Sequence, residues 1–412
     1  MNAQDYFFKV KTPDEVQKTL KDISYVLPGE SVGIEASLGR ILAEDVYSPV
    51  DLPGFERSTM DGFAVRARDT FGASAGSPAY LRLAGEVKMG ETASMKLSPG
   101  EAIGVSTGSM VPEGADAIVI IEHTDILDDE TIEVVRPVAP GDNLVRKDED
   151  ISKGSIMLRK GRMIRPHDIG ALAGAGILEI KAIKQPEVAI ISSGDEIIQP
   201  DQKPQNGQIR DINTYSLSAL ARQAGALPIS MGIVKDSYEL LRHKLLESID
   251  IADIALISGG SSVGTRDATL DVIQSIPDSE ILVHGISIRP GKPTIIAKAG
   301  RKYIFGLPGN PVSVMVTFDL FVGYLIKLLS GIEQHEWKPR YVKAFLSRNL
   351  ASAPGREDYV CVRLVDSGKI LAEPVLGKSA LITMMVRADG LIKIPLDMEG
   401  LEAGTEVDVF VF

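Results

Sequence analysis

Three turns rich in glycine or proline hold the residue types best suited to chemistry. SGGSSVGTRD begins at Ser258, RPGKP at Arg289 and GLPGNPVS at Gly306, each beside a strand-like apolar run. Glycines just after a strand let backbone N–H groups approach an anion closely, and a following helix N-terminus favours negative charge. Gly259, Gly260, Ser262 and Gly264 are the residues so placed. Arg289 and Lys292 add positive charge, and Arg289 can fork onto an oxyanion. Asp267 supplies an acid beside them. The set suits a phosphorylated or oxyanionic ligand. Each piece alone also reads as ordinary architecture: Gly-Gly-Ser-Ser is a common loop, while Pro308 and Pro311 shape a turn and open a helix.

The surrounding pattern must position these turns. From Glu187 onward, strand and helix alternate: EVAIIS, then NTYSLSALARQAG, LPISMGIV, SYELLRHKLLESI and IALIS. Continuous rather than alternating apolar strands, with helices between them, signal a parallel sheet covered on both faces. In the helix NTYSLSALARQ, Asn213 is the candidate N-cap and Gly225 follows its end. ILVHGISI and PTIIAKA are joined through RPGK, and KYIFGL leads into a long helix beginning at Asn310. The expectation is one doubly wound α/β domain over 183–331. Short apolar runs between Gly and Pro turns predict a β-rich module over 47–140. The β patterning after Trp337 (VKAFL, YVCVRLV, LIKIPL, EVDVFVF) predicts a small barrel or sandwich over 335–412.

In an open α/β sheet, ligands bind outside the carboxyl ends of the parallel strands. SSGDE, VKD and GGSSVGTRD follow three such strands, which brings Asp195, Glu196, Asp236 and Asp267 to one rim. Helix capping is the plainer reading of each acid singly. A carboxylate cluster beside anion-binding loops fits Mg²⁺ bridging a phosphate, because Mg²⁺ takes one or two carboxylates plus substrate oxygens. Asp236 and Asp267 are the expected metal ligands.

Composition narrows the class. The 412 residues carry a net charge of −12, which argues against non-specific nucleic-acid binding and requires any anion to be held by a local basic patch. The single cysteine, Cys361, excludes an intrachain disulfide and lies in an alternating strand pattern as a structural thiol. His123, His167, His243, His284 and His335 are scattered and show no zinc spacing. The start lacks a basic segment followed by an apolar one, and the apolar run Val312 to Leu329 is broken by Asp319 and Lys327. Neither reads as a signal peptide or a membrane span, so the cytoplasm is expected.

Together and in this order, the three turns resemble the molybdopterin molybdenumtransferase family, the enzymes related to the gephyrin E domain. PGFERSTMDGFAV (Pro53 to Val65), STGSMVPEGADAIV (Ser106 to Val119), ISSGDEI (Ile191 to Ile197) and PGRED (Pro354 to Asp358) extend the resemblance over nearly the whole chain. It implies that residues 1–46 and 141–182 pair into one discontinuous, elongated N-terminal domain carrying the inserted β module. It also implies insertion of molybdenum from molybdate, the co-substrate, into adenylylated molybdopterin. The adenylate is hydrolysed, giving molybdenum cofactor and AMP. Carried over by position, Asp61, Thr107, Glu196, Asp236 and Asp267 become catalytic. Arg289 and Lys292 become an anion-binding pair, and Pro308, Pro311, Ser313, Arg356 and Ser379 substrate-binding residues. A turn residue at Asp61, a strand-end hydroxyl at Thr107, a first-turn hydroxyl at Ser313 and a solvated charge at Arg356 are the plainer alternatives. The family implies a homodimer with its cleft between the α/β domain and the partner's β module. It also implies contacts with the adenylyltransferase and with molybdoenzymes, and neither nucleic acid nor membrane as a partner. Two rivals remain: an adenylyltransferase, which resembles only the α/β domain, and a scaffold that has kept the fold without turnover.

Overall fold

The computed structural model describes residues 10–259, 266–332 and 341–412. The core is a six-stranded sheet whose strands are β1 (Glu187–Ser193), β2 (Leu227–Val234), β3 (Ile254–Gly259), β4 (Ser279–His284), β5 (Ile295–Ala299) and β6 (Lys302–Leu307). Their order across the sheet is β2-β1-β3-β6-β5-β4. The first four are parallel, whereas β5 runs antiparallel to β6 and to β4. Alternate side chains of each strand divide between two layers. Val188, Ile190, Ile254, Leu256, Tyr303 and Phe305 face one helical layer, made of α1 (Asn213–Gln223) and the long helix α4 (Pro311–Leu329). Val16 and Leu20 of the helix Pro13–Ile23 pack into that same core. Ile191, Ala255, Ile257 and Ile304 face α2 (Tyr238–Ile251) and α3 (Arg266–Gln274). A sheet buried on both faces explains why its strands read as unbroken apolar runs.

Two local expectations change. ILVHGISI does not form one strand: it breaks at Gly285, and Ile288–Arg289 leaves the sheet to pair in parallel with Glu357–Asp358. Asn213 is not the cap of α1. Asp211 accepts from the Thr214 N–H at 3.1 Å instead, while the Asn213 amide reaches the sheet edge and donates to Ser258 Oγ at 2.7 Å and to the Gly309 carbonyl at 2.8 Å. Gly259 ends β3 with φ +118, and a Cβ there would stand 1.9 Å from the Ser193 carbonyl oxygen, so only glycine fits.

On the N-terminal side, paired strands carry the chain out and back. Gly29–Gly33 lies against Glu179–Ile183, Val46–Tyr47 against Ile156–Leu158, and Arg57–Ser58 against Leu144–Val145. Between them, a second six-stranded sheet spans residues from Gly62–Val65 to Thr131–Val134. At the other end, Tyr341–Leu346, Glu357–Asp366, Ile370–Pro374, Gly390–Ile394 and Glu406–Val411 pair in a ring, which closes a small barrel. Ala344, Val362, Ile392 and Val409 fill it.

The helix α4 is apolar and long enough to cross a membrane, but 67% of its apolar window is buried in the protein. It includes a π-helical turn over Phe318–Val322. On that turn Asp319 is half-buried; burial pushes its carboxyl up from 3.8 to about 7, with Lys327 pulling it down. The native state therefore holds the proton more tightly than the unfolded chain, and stability falls as pH rises through that window. Asp319→Asn should flatten this part of the pH dependence of Tm. An unchanged slope would mean that the carboxyl is ionised throughout.

Candidate active site

A cavity of about 880 Å³ lies where the α/β sheet meets the barrel. Three segments build it: the RPGK turn after Ile288, the N-terminus of α4, and barrel residues from Leu350 to Val360 and Val375 to Ser379. Gly291 permits the tight RPGK turn, since its φ is +113 and a Cβ would meet Thr317 Oγ1 at 2.6 Å. The turn projects Arg289 and Lys292 into the cavity, and Arg356 and Lys378 enter from the barrel. Lys292 and Lys378 are exposed, and neither ammonium has a protein partner among the described residues. Ser313, buried in the first turn of α4, lines the same space.

The helix end is tied to the barrel loop. The Val312 N–H donates to the Ser379 carbonyl at 3.1 Å, and Asn310 Nδ2 donates to Ser379 Oγ at 3.1 Å. Asn310 thus spends its side chain outside the helix, and no side-chain cap closes that N-terminus. Pro311 opens the helix, and Pro308 precedes Gly309, whose carbonyl receives Asn213. Both prolines shape the wall without lining it. Four cations and a helix N-terminus therefore surround one space in a protein of net charge −12. That arrangement has the charge an anion would require.

One acid also lines the cavity. Asp358 is only 4% exposed, accepts from Arg356 Nε at 2.9 Å and lies 3.6 Å from Arg289 Nη1. The sequence pattern did not single out Asp358 or Lys378. A carboxylate at the start of a strand, two residues after Arg356 in the PGRED turn, was the available signal for the first. Cys361 also lines the cavity; burial raises its thiol to about 11, which makes it a structural thiol and not a nucleophile.

The carboxyl rim of the sheet forms a second group. Ser193 Oγ donates to Asp236 Oδ1 at 2.9 Å, and the Asp236 N–H donates to Asp195 Oδ1 at 3.4 Å. The Glu196 carboxylate curls back over Gly194, where a Cβ would meet its Oε2 at 2.7 Å. All three acids are exposed. The side chain of Asp267, with Gly260, Ser262 and Gly264, lies outside the described residues. No group of three or more acids, histidines or cysteines able to hold a metal ion forms among the described residues. Mg²⁺ takes only one or two carboxylates and completes its shell with substrate oxygens and water, and the exposed Asp236 is open to such a role.

Asp61 and Thr107 meet on the β module. The Thr107 N–H donates to Asp61 Oδ1 at 2.7 Å and its hydroxyl at 3.1 Å. Neither residue lines the cavity.

This architecture has known counterparts. Models of the MoeA N-terminal region (domains I and II), a probable molybdopterin binding domain and the MoeA C-terminal region (domain IV) match residues 11–176, 189–327 and 343–412. A Methanocaldococcus jannaschii protein named for molybdopterin biosynthesis is 37% identical over 391 residues, 93% of this chain and 92% of its own. The molybdopterin molybdenumtransferase of Staphylococcus aureus is 31% identical over 407 residues, 98% of this chain and 95% of its own. Two solved structures of Pyrococcus horikoshii molybdopterin biosynthesis MoeA proteins superpose with TM-scores of 0.83 and 0.84. They are 37% and 31% identical, cover 98% of this chain, and are themselves covered over 99% and 100% of their lengths.

The Asp61–Thr107 pair can be tested directly. The Thr107 N–H, and secondarily its hydroxyl, holds the Asp61 carboxyl below its ordinary value of 3.8. Thr107→Val removes only the weaker donor, so the Asp61 titration followed by carboxyl-carbon NMR should move up yet stay below 3.8. No movement would show that the hydroxyl does not reach the carboxylate.

Proposed function

This chain belongs to the MoeA family of molybdopterin molybdenumtransferases, and on that premise we propose that its cavity takes molybdate while the carboxylate rim takes adenylylated molybdopterin. The chain is a transferase of molybdenum cofactor biosynthesis. One observation carries the placement of the oxyanion: Arg289, Lys292, Arg356 and Lys378 converge with the α4 N-terminus on a single cavity. Charge-assisted contacts of this kind are the strong ones, and guanidinium forks match an oxyanion's geometry. The cavity is much larger than one tetrahedral ion, and its apolar wall of Val312, Val360, Val375 and Met384 leaves room for part of an organic substrate.

The phosphoanhydride of the adenylate would lie at the rim, where water adds to phosphorus and AMP leaves. Asp236 would hold Mg²⁺ with Asp267, and the bound cation would neutralise charge developing on the phosphate oxygens. Ser193 orients Asp236 through its hydroxyl, and Asp195 braces the Asp236 backbone. We infer a cytoplasmic homodimer in which the Asp61–Thr107 pair of one subunit completes the rim of the other. The paired short strands hold that pair on a separate sheet, away from the cavity of its own chain.

Single-turnover incubation with adenylylated molybdopterin and molybdate should release AMP. In Lys292→Ala, the molybdate needed for half-maximal release should rise about ten- to a hundredfold, the scale of a charge-assisted hydrogen bond worth about 1.5–3 kcal/mol. Affinity for the adenylylated pterin should change less. A molybdate titration matching wild type would place the oxyanion elsewhere. For the dimer, Asp61→Ala and Asp236→Ala should each be inactive, yet co-expressed mixed dimers should recover activity, because one of their two clefts keeps both acids. Mixed dimers without recovery would place both acids in a cleft within one chain.

A further inference from the structure

The cavity wall contains a charge arrangement that anion binding alone does not require. Asp358 carries a buried negative charge at the surface of a space meant for an anion. Its two oxygens serve two different arginines: Oδ1 accepts from Arg356 Nε at 2.9 Å, and Oδ2 faces Arg289 Nη1 at 3.6 Å. We propose that Asp358 is a positioning residue that holds the Arg289 and Arg356 guanidiniums side by side as one preformed oxyanion clamp. The inference rests on the cavity being the molybdate site.

The backbone places the acid for this task. The short parallel pairing sets Arg289 directly opposite Asp358, and Arg356 precedes Asp358 by two residues. The neighbouring Glu357 does not line the cavity: it accepts from the Tyr359 hydroxyl at 2.6 Å and pairs with Lys393 at 3.4 Å. The two adjacent buried acids thus serve opposite faces of the strand, and only Asp358 meets the cavity.

Physics gives the acid its role. The side chains of Arg289 and Arg356 are 64% and 36% exposed, so each has solvent into which it could swing. Two like charges brought together without a counter-ion repel and would disperse. A single buried carboxylate between them offsets the repulsion and draws both guanidiniums to one wall of the cavity. Arg356 is gripped through Nε, which leaves both of its Nη groups for a ligand; Arg289 is held by charge alone, its Nη1 3.6 Å from Oδ2, which leaves its donors for a ligand. An entering oxyanion then meets donors already oriented, and less side-chain freedom is lost on binding. Four cations against one acid keep the wall strongly positive.

The alternative role for Asp358 is a strut between sheet and barrel that acts on stability alone. A double-mutant cycle separates the two, with calorimetric titration of sodium molybdate into the full-length protein and unfolding monitored in parallel. Asp358→Asn keeps the shape of the wall and removes the charge. It should weaken molybdate binding on the order of tenfold or more, the scale of a lost charge-assisted contact. In turnover it should raise the molybdate KM by more than it lowers kcat. In an Arg356→Gln background the same substitution should weaken binding less, because one of the two groups it positions, the hydrogen-bonded one, is gone. If the asparagine variant does not fold, Asp358→Ser, smaller at the same wall, takes its place in the cycle.

Molybdate affinity in Asp358→Asn equal to wild type, or independent effects of the two substitutions, would overturn the inference. If Arg356→Gln loses binding while Asp358→Asn keeps it, the molybdate site stands and only the positioning role falls. If wild type itself fails to bind molybdate, the cavity assignment falls and the positioning role with it.

Discussion

A buried carboxylate between two guanidiniums is the interaction on which the proposed site depends. Asp358 sits at the point where a two-residue strand from the α/β domain joins the barrel, with Arg289 opposite it and Arg356 beside it. A buried charge without partners would be strongly destabilising, so the acid and the two arginines require one another. Their arrangement has a geometric consequence: if the RPGK turn left the barrel, Asp358 would lose one of its two cationic neighbours and keep only Arg356. The same junction receives the N-terminal segment, since the Ser287 N–H donates to the Lys11 carbonyl at 2.9 Å and the Glu357 N–H to the Ser287 carbonyl at 2.8 Å. Three distant parts of the chain thereby share one anchor.

The division of labour follows from it. The sheet is buried on both faces and leaves only its carboxyl rim for chemistry, where Asp195, Glu196 and Asp236 gather. The positive cavity forms beside this rim, where α4 points its uncapped N-terminus at the barrel. Phosphate chemistry under a hard cation and capture of a tetrahedral oxyanion call for opposite electrostatics. Acids and cations are kept apart because the acids follow β1 and β2, whereas the cations come from the turn after β4 and from the barrel. A protein of net charge −12 would need its cations concentrated in this way to hold the proposed dianion.

Much of this was legible in the residues because the motifs are local. RPGKP, GLPGNPVS and PGRED each announce a turn with a charge or a helix start, and continuous apolar strands announce the two-layered core. Convergence was not legible, because it depends on pairing Ile288–Arg289 with Glu357–Asp358, some seventy residues further on and two residues long. No periodicity reports so short a ladder. For the same reason ILVHGISI read as one strand, although Gly285 breaks it and tertiary pairing takes its second half. Asn213 read as a cap from its residue type; burial at the sheet edge gave its amide stronger partners, and Asp211 took the cap. Asp358 stood out only as the last residue of PGRED, since burial, not residue type, gives it its role.

The most direct test of the oxyanion cavity is anomalous diffraction at the molybdenum edge from crystals soaked in molybdate. The account predicts one strong peak in the cavity, within hydrogen-bonding reach of Arg289, Lys292 and Arg356 and facing the first turn of α4. A peak at the Asp195–Asp236 rim, or none in the cavity at saturating molybdate, would contradict it.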